Sequence, residues 1–226
     1  MARIAWHAVG AKEYETGVDR GVLYLPDALT GEYDSGYAWN GLTAVTESPS
    51  GAESNKQYAD NTVYLNLKSA EEFGGTIEAF TYPDEFAQCN GELEAAPGVR
   101  LGQQRRKSFG LSYRTLKGND TEGLDFGYKI HLVYGADAAP SERAYGTVND
   151  SPEATGLSWE LTTTPVSVGE IDGVEYAPTA SLTIDSTDVD AADLAALEAI
   201  LYGDETLEPR LPMPAEVIEL FATVTP

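Results

Sequence analysis

The sequence is poorest in the residues that staple or metallate a fold. It holds one cysteine, Cys89, and two histidines, His7 and His131, in 226 residues. A single cysteine forms no internal disulfide, which excludes a disulfide-framed secreted scaffold and a cysteine-rich zinc module. Two histidines leave little for a His-based metal site. Apolar runs extend only a few residues, too few to span a bilayer as a helix. Cations are scarce as well: 14 Lys and Arg stand against 37 Asp and Glu, a net charge of −23. Such a surface repels phosphate, so sequence-reading of nucleic acid and binding to an anionic membrane are both disfavoured. The first residues, MARIAWHAVGAKEYE, reach Lys12 and Glu13 before a signal-peptide core can form, so a cytoplasmic origin is expected.

The acidity that remains is uneven. Residues 151–226 hold 15 acidic side chains and one basic one, Arg210. Eight of the 14 cations fall between Arg100 and Arg143, among them Arg100, Arg105, Arg106 and Lys107. A basic middle and an acidic last third make the chain electrically complementary to copies of itself. Ordinary solvated faces would look the same.

Strand signals dominate the apolar pattern. Alternation predicts strands at 21–25, 42–46, 62–68, 76–82, 108–116, 126–134, 157–163 and 181–185. In the 108–116 and 126–134 pair, Phe109, Leu111 and Tyr113 share one face, and Tyr128, Ile130, Leu132 and Tyr134 line a face of the returning strand. Glu47 to Asn61 (ESPSGAESNKQYADN) is polar and reads as a long exposed loop. Asp84 to Cys89 suggests a helical turn. Helical spacing of Leu194, Leu197 and Leu201 predicts a helix over 190–202, with Asp190 as N-cap and Gly203 as its end. The stretch 209–226 opens with PRLPMP and reads as a docking arm. The expected fold is one domain over 1–226, mainly antiparallel β as a sandwich or barrel, with one flanking α-helix near the C-terminus.

Chemistry-bearing motifs are missing. There is no glycine-rich phosphate loop and no nucleophile elbow, since Gly110-Leu111-Ser112-Tyr113-Arg114 lacks the final glycine. His131 sits mid-strand between Ile130 and Leu132. The Asp185, Asp188, Asp190, Asp193 series lacks the glycine of a calcium loop and suits helix capping better. The expectation is therefore no catalytic residue, no metal and no cofactor.

Longer stretches carry a resemblance. GVLYLPD (21–27), AWNGLTAVTESPSGAE (38–53), YLNLKSAEEFG (64–74) and IEAFTYPDEFAQCNG (77–91) resemble the tail tube proteins (major tail proteins) of long-tailed bacteriophages. So do PGVRLGQQRRKSFGLSYRTLKGNDTEG (97–123), GYKIHLVYGADAAPSERAYGTVNDSPEA (127–154) and LTIDSTDVDAADLAALEAILYG (182–203). That family is similar to the type VI secretion tube protein.

The resemblance implies a structural virion protein without catalytic residues. Six copies form a ring, rings stack into a hollow tail tube, and double-stranded DNA passes through the lumen without sequence-specific binding. It also implies partners among the tape measure, tail tip and tail terminator proteins, and assembly in the host cytoplasm. By position, the ring-stacking loop would include Glu47, Ser48, Pro49, Ser50, Gly51, Ala52, Glu53, Ser54, Asn55 and Lys56. Arg100, Arg105, Arg106 and Lys107 are the candidate intersubunit basic cluster. A tail-associated β-sandwich adhesin or carbohydrate-binding module is the alternative, and a β-fold glycan hydrolase a third.

Overall fold

The computed structural model describes residues 6–148, 150–151, 153–171 and 173–222. Its first strands are β1 (Tyr14–Leu25), β2 (Ser35–Trp39), β3 (Leu42–Glu47), β4 (Ser50–Gly51), β5 (Ser54–Ala59) and β6 (Thr62–Lys68). Next come β7 (Glu71–Glu72), β8 (Gly74–Ala79), a 3-10 turn (Asp84–Gln88), β9 (Leu93–Ala96) and β10 (Val99–Leu101). The long strands β11 (Phe109–Asn119) and β12 (Gly123–Ala138) precede β13 (Leu157–Thr163), β14 (Gly169–Ile171), β15 (Val174–Tyr176) and β16 (Ser181–Asp185). The helices α1 (Ala191–Tyr202) and α2 (Pro214–Ala222) come last.

One antiparallel sheet carries the fold, in the order β2-β1-β11-β12-β13-β8-β3, with β16 also bonded to β12. Side chains alternate across its spine, β11 and β12, and so feed two cores. Phe109, Leu111, Tyr113 and Val133 join Trp39, Phe86 and Trp159 on one face. Ile130, Leu132 and Tyr134 join Tyr24, Leu197 and Leu201 on the other. The first core is aromatic: Phe86 meets Trp159 edge-on at 5.2 Å, and the Trp159 indole donates to Asn90 Oδ1 at 3.0 Å. The second lies beneath the helices. Tyrosines fasten that layer, with the Tyr24 hydroxyl donating to the Leu201 carbonyl (2.8 Å) and the Tyr134 hydroxyl to the Pro212 carbonyl (2.9 Å).

A bulge lets β12 serve two neighbours along one edge. Leu111 pairs with Val133, but Phe109 pairs with Ala136, so β12 has one residue more than β11 there. Gly135 lies in that stretch at φ +57°, where a Cβ would overlap the Thr164 carbonyl oxygen. Its amide donates to the Tyr33 hydroxyl at 2.8 Å. On one side of the bulge β12 pairs with β16, and on the other with β13.

The sheet rolls around the aromatic core without closing. Its end strands, β2 and β3, are separated in sequence only by Asn40-Gly41, yet no ladder joins them among the described residues. Leu42 of β3 packs onto Gly21 of β1 across the seam.

Two segments differ from the sequence reading. The arm expected over 209–226 contains a second helix, as far as it lies within the described residues. Pro214 opens α2, where its missing N–H costs nothing, and Val217 is buried in the second core. The loop expected over 47–61 is exposed, as predicted, but it is ordered into strands: β4 pairs with β7, and β5 pairs with β6.

Gly135→Ala adds left-handed strain of about 1–2 kcal/mol and an overlap of about 1–3 kcal/mol. Urea denaturation should show a loss of ~2–5 kcal/mol, whereas Gly146→Ala, at an open position, should show almost none.

Candidate assembly surfaces

The β5–β6 hairpin is the largest unsupported element. Asp60 and Asn61, the two residues between its strands, both have positive φ (50° and 61°), the geometry of a tight two-residue hairpin turn. Its root is closed by the Ser69 amide donating to the Glu53 carbonyl (3.2 Å) and the Glu53 amide to Ser69 Oγ (3.1 Å). Every residue of both strands is exposed.

Cross-strand register sorts its two faces. Leu65 opposes Gln57 and Leu67 opposes Asn55, which puts Leu65 and Leu67 on one face; a register shift follows Gln57, and the Tyr58–Val63 pair beyond it falls on the opposite face. All four are at least 49% exposed. The other face carries Lys56 and Lys68. Residues 54–68 therefore hold two lysines and one carboxylate, Asp60, in a chain of net charge −23. The alternation expected over 62–68 holds for Leu65 and Leu67 but not across the register shift to Val63, and no core of this chain lies under it.

Of the expected ring-stacking residues, Ser54, Asn55 and Lys56 belong to this hairpin and Glu47 to Glu53 form its root. Glu47 turns inward. The Tyr113 hydroxyl donates to Glu47 Oε1 at 2.6 Å, and His131 Nδ1 stands 3.4 Å from the same oxygen. The imidazole stacks on the Tyr113 ring, 4.7 Å between centroids and 4° from parallel. Its Nε2 lies 2.9 Å from Thr115 Oγ1.

The basic cluster is divided. Arg100 pairs with Asp84 at 2.6 Å and approaches Glu92 at 3.8 Å. Arg106 donates to the carbonyls of Ala138 (2.9 Å) and Cys89 (3.4 Å), tying the 102–107 loop to the end of β12. Arg105 and Lys107 are exposed, and neither side chain has a hydrogen bond or ion pair among the described residues. Other cations of the basic middle also meet carboxylates of their own chain: Arg114 with Asp19, Lys117 with Glu13 and Asp185, Lys129 with Glu15, and Arg143 with Glu92. Much of the complementarity legible in the sequence is thus satisfied within one chain.

The remaining candidates are structural. Burial pushes the Cys89 thiol up to about 12, so it is protonated at neutral pH. In the aspartate series, Asp190 Oδ1 caps α1 by accepting from the Ala192 amide at 2.8 Å, and Asp185 holds Lys117 and Thr187. No group of three or more His, Cys, Asp or Glu among the described residues is placed to hold a metal ion.

Burial lowers the His131 pKa below its ordinary value, against the opposing pull of Glu47 and Glu15. The native state therefore favours the neutral ring. Stability from this site is complete above the unfolded histidine pKa and is lost as pH falls through the folded one. Replacing His131 with Phe should flatten the stability profile below about pH 6.5, measured as the wild-type minus variant difference; an unchanged profile would contradict this. The sequence matches no protein-family profile and no curated protein.

Proposed function

We propose that this chain is a structural subunit that polymerises with copies of itself, as the resemblance to phage tail tube proteins implies: rings of six, stacked into a hollow tube that conducts double-stranded DNA. The observation that carries the reading is the β5–β6 hairpin. A two-stranded hairpin is marginal in water by itself, and four exposed large side chains, Tyr58, Val63, Leu65 and Leu67, are a liability unless something covers them. Assembly covers them. The incompletely closed sheet adds unpaired strand edges, which pairing with a neighbour would satisfy.

Acidity suits such a conduit. DNA carries one negative charge per roughly 1.7 Å of axis, and a basic wall would hold it through counterion release. Six copies at −23 each would build a repelling tube instead. In this reading the chain needs no reactive group, and the tyrosines, His131 and Cys89 serve packing. A glycan-binding adhesin would also display aromatics; Tyr24, Tyr33, Tyr113 and Tyr134 are buried, and the exposed ones, among them Tyr58, Tyr64 and Tyr145, are spread over separate segments.

Because Glu53 and Ser69 are hydrogen-bonded neighbours, residues 54–68 can be excised and replaced by a short glycine link. Circular dichroism should show a folded chain, and negative-stain microscopy should show that rings or tubes formed by the intact protein are gone. Tubes of normal length from the excised chain would overturn the assembly role of the hairpin. Reversing the two free cations, Arg105→Glu with Lys107→Glu, should weaken assembly about tenfold, equivalent to ~1.4 kcal/mol per contact. High salt should shrink that difference, which light scattering can follow.

A further inference from the structure

The second unpartnered apolar surface is a groove of about 530 Å³ between β16 and α2, walled by Leu182, Val189, Val217, Ile218 and Phe221. Asp188 stands at its rim, exposed and with no side-chain hydrogen bond or ion pair among the described residues. Among the described residues β16 is bonded to β12 along one edge only, so a sheet edge lies open beside the groove.

We infer that this groove receives the β5–β6 hairpin of a second copy of the chain. The inference rests on the reading of the hairpin as an assembly arm and adds the surface that receives it. Three observations point to this occupant. The first is size. Five residues of β16 extend about 17 Å at ~3.3 Å each, and the nine residues of α2 extend about 14 Å at ~1.5 Å each. That length accepts four or five strand residues, which matches the span from Val63 to Leu67, with Leu65 and Leu67 on one face. The second is charge. The hairpin contributes two lysines, Lys56 and Lys68, without an ion pair among the described residues, and the groove rim belongs to the last third of the chain, where 15 acidic residues accompany one basic one. Opposite charge steers such an encounter and sets its orientation. The third is backbone: among the described residues β5 and β6 pair only with each other, so their outer edges are as open as that of β16. Hairpin and groove are different patches of one chain, so the contact is head-to-tail and propagates from copy to copy.

Disulfide trapping between two variants tests this. Chains carrying Leu65→Cys are mixed with chains carrying Ile218→Cys under mild oxidation and resolved on a non-reducing gel, with sedimentation velocity on the same samples. The buried, protonated Cys89 does not compete. The expected result is a 65–218 crosslinked dimer that needs both variants and disappears on reduction. Oligomers that form without that crosslink would overturn the groove as receptor while leaving self-assembly intact. A wild-type chain that sediments as a monomer at every concentration would overturn the assembly reading, and this inference with it. A charge exchange gives a second readout: Lys56→Glu with Lys68→Glu should cut association about tenfold, and Asp188→Lys on the partner copy should restore part of it. Absence of any rescue, together with an unchanged association constant for the lysine variant, would also overturn the groove assignment.

Discussion

Both cores depend on the alternation of side chains along β11 and β12. β12 presents apolar residues to two faces at once, Val133 and Ala136 to the aromatic core and Ile130, Leu132 and Tyr134 to the helix-covered core, while β11 supplies Phe109, Leu111 and Tyr113 to the aromatic core alone. A one-residue slip would exchange the two sets and place Tyr134 and Leu132 where Val133 belongs. The bulge around Gly135 inserts such a slip deliberately, at one place, and the strand gains a second partner from it. Both faces of the spine are filled from within the chain, and the β5–β6 hairpin lies outside either core.

That division has a consequence for assembly. Much of the buried polarity is satisfied within one chain: the Tyr24 and Tyr134 hydroxyls reach carbonyls of the helical layer, and most basic side chains find carboxylates of their own chain, whereas the buried Tyr202 hydroxyl has no hydrogen-bond partner among the described residues. Among what is left over are the exposed apolar side chains of the hairpin at one place and a helix-bordered groove at another. Two leftover surfaces of complementary charge are what a self-associating subunit requires. In the proposed reading the −23 charge acts at longer range, keeping free subunits apart and the tube wall repellent to its cargo.

Much of the fold was legible in the sequence because much of it obeys local rules. Strands β13 and β16 fall where alternation places them, and Asp190 and Gly203 bound α1 as capping chemistry requires. The hairpin arm was legible in half. Thr62–Lys68 alternates visibly, but Ser54–Ala59 (SNKQYA) carries a strand without an apolar face, since its apolar partners sit across the turn in β6. Polarity therefore read as a loop, although Asp60-Asn61 between two segments of strand length was a turn signal. α2 escaped because PRLPMP reads as extended chain, while Pro214 opens a helix. Of the basic cluster, charge counting found all four members, but only geometry separates Arg105 and Lys107, whose side chains have no hydrogen bond or ion pair among the described residues, from Arg100 and Arg106, which are engaged. The groove between β16 and α2 left no sequence signal, because it joins segments some thirty residues apart that only the tertiary fold brings together.

Amide hydrogen exchange on the intact protein, compared between dilute and concentrated samples, addresses the central claim most directly. The account predicts that residues 54–68 exchange freely in the dilute chain and gain protection on concentration, while β11 and β12 are equally protected in both. A hairpin that exchanges at the same rate under both conditions, in samples that have demonstrably oligomerised, would contradict it.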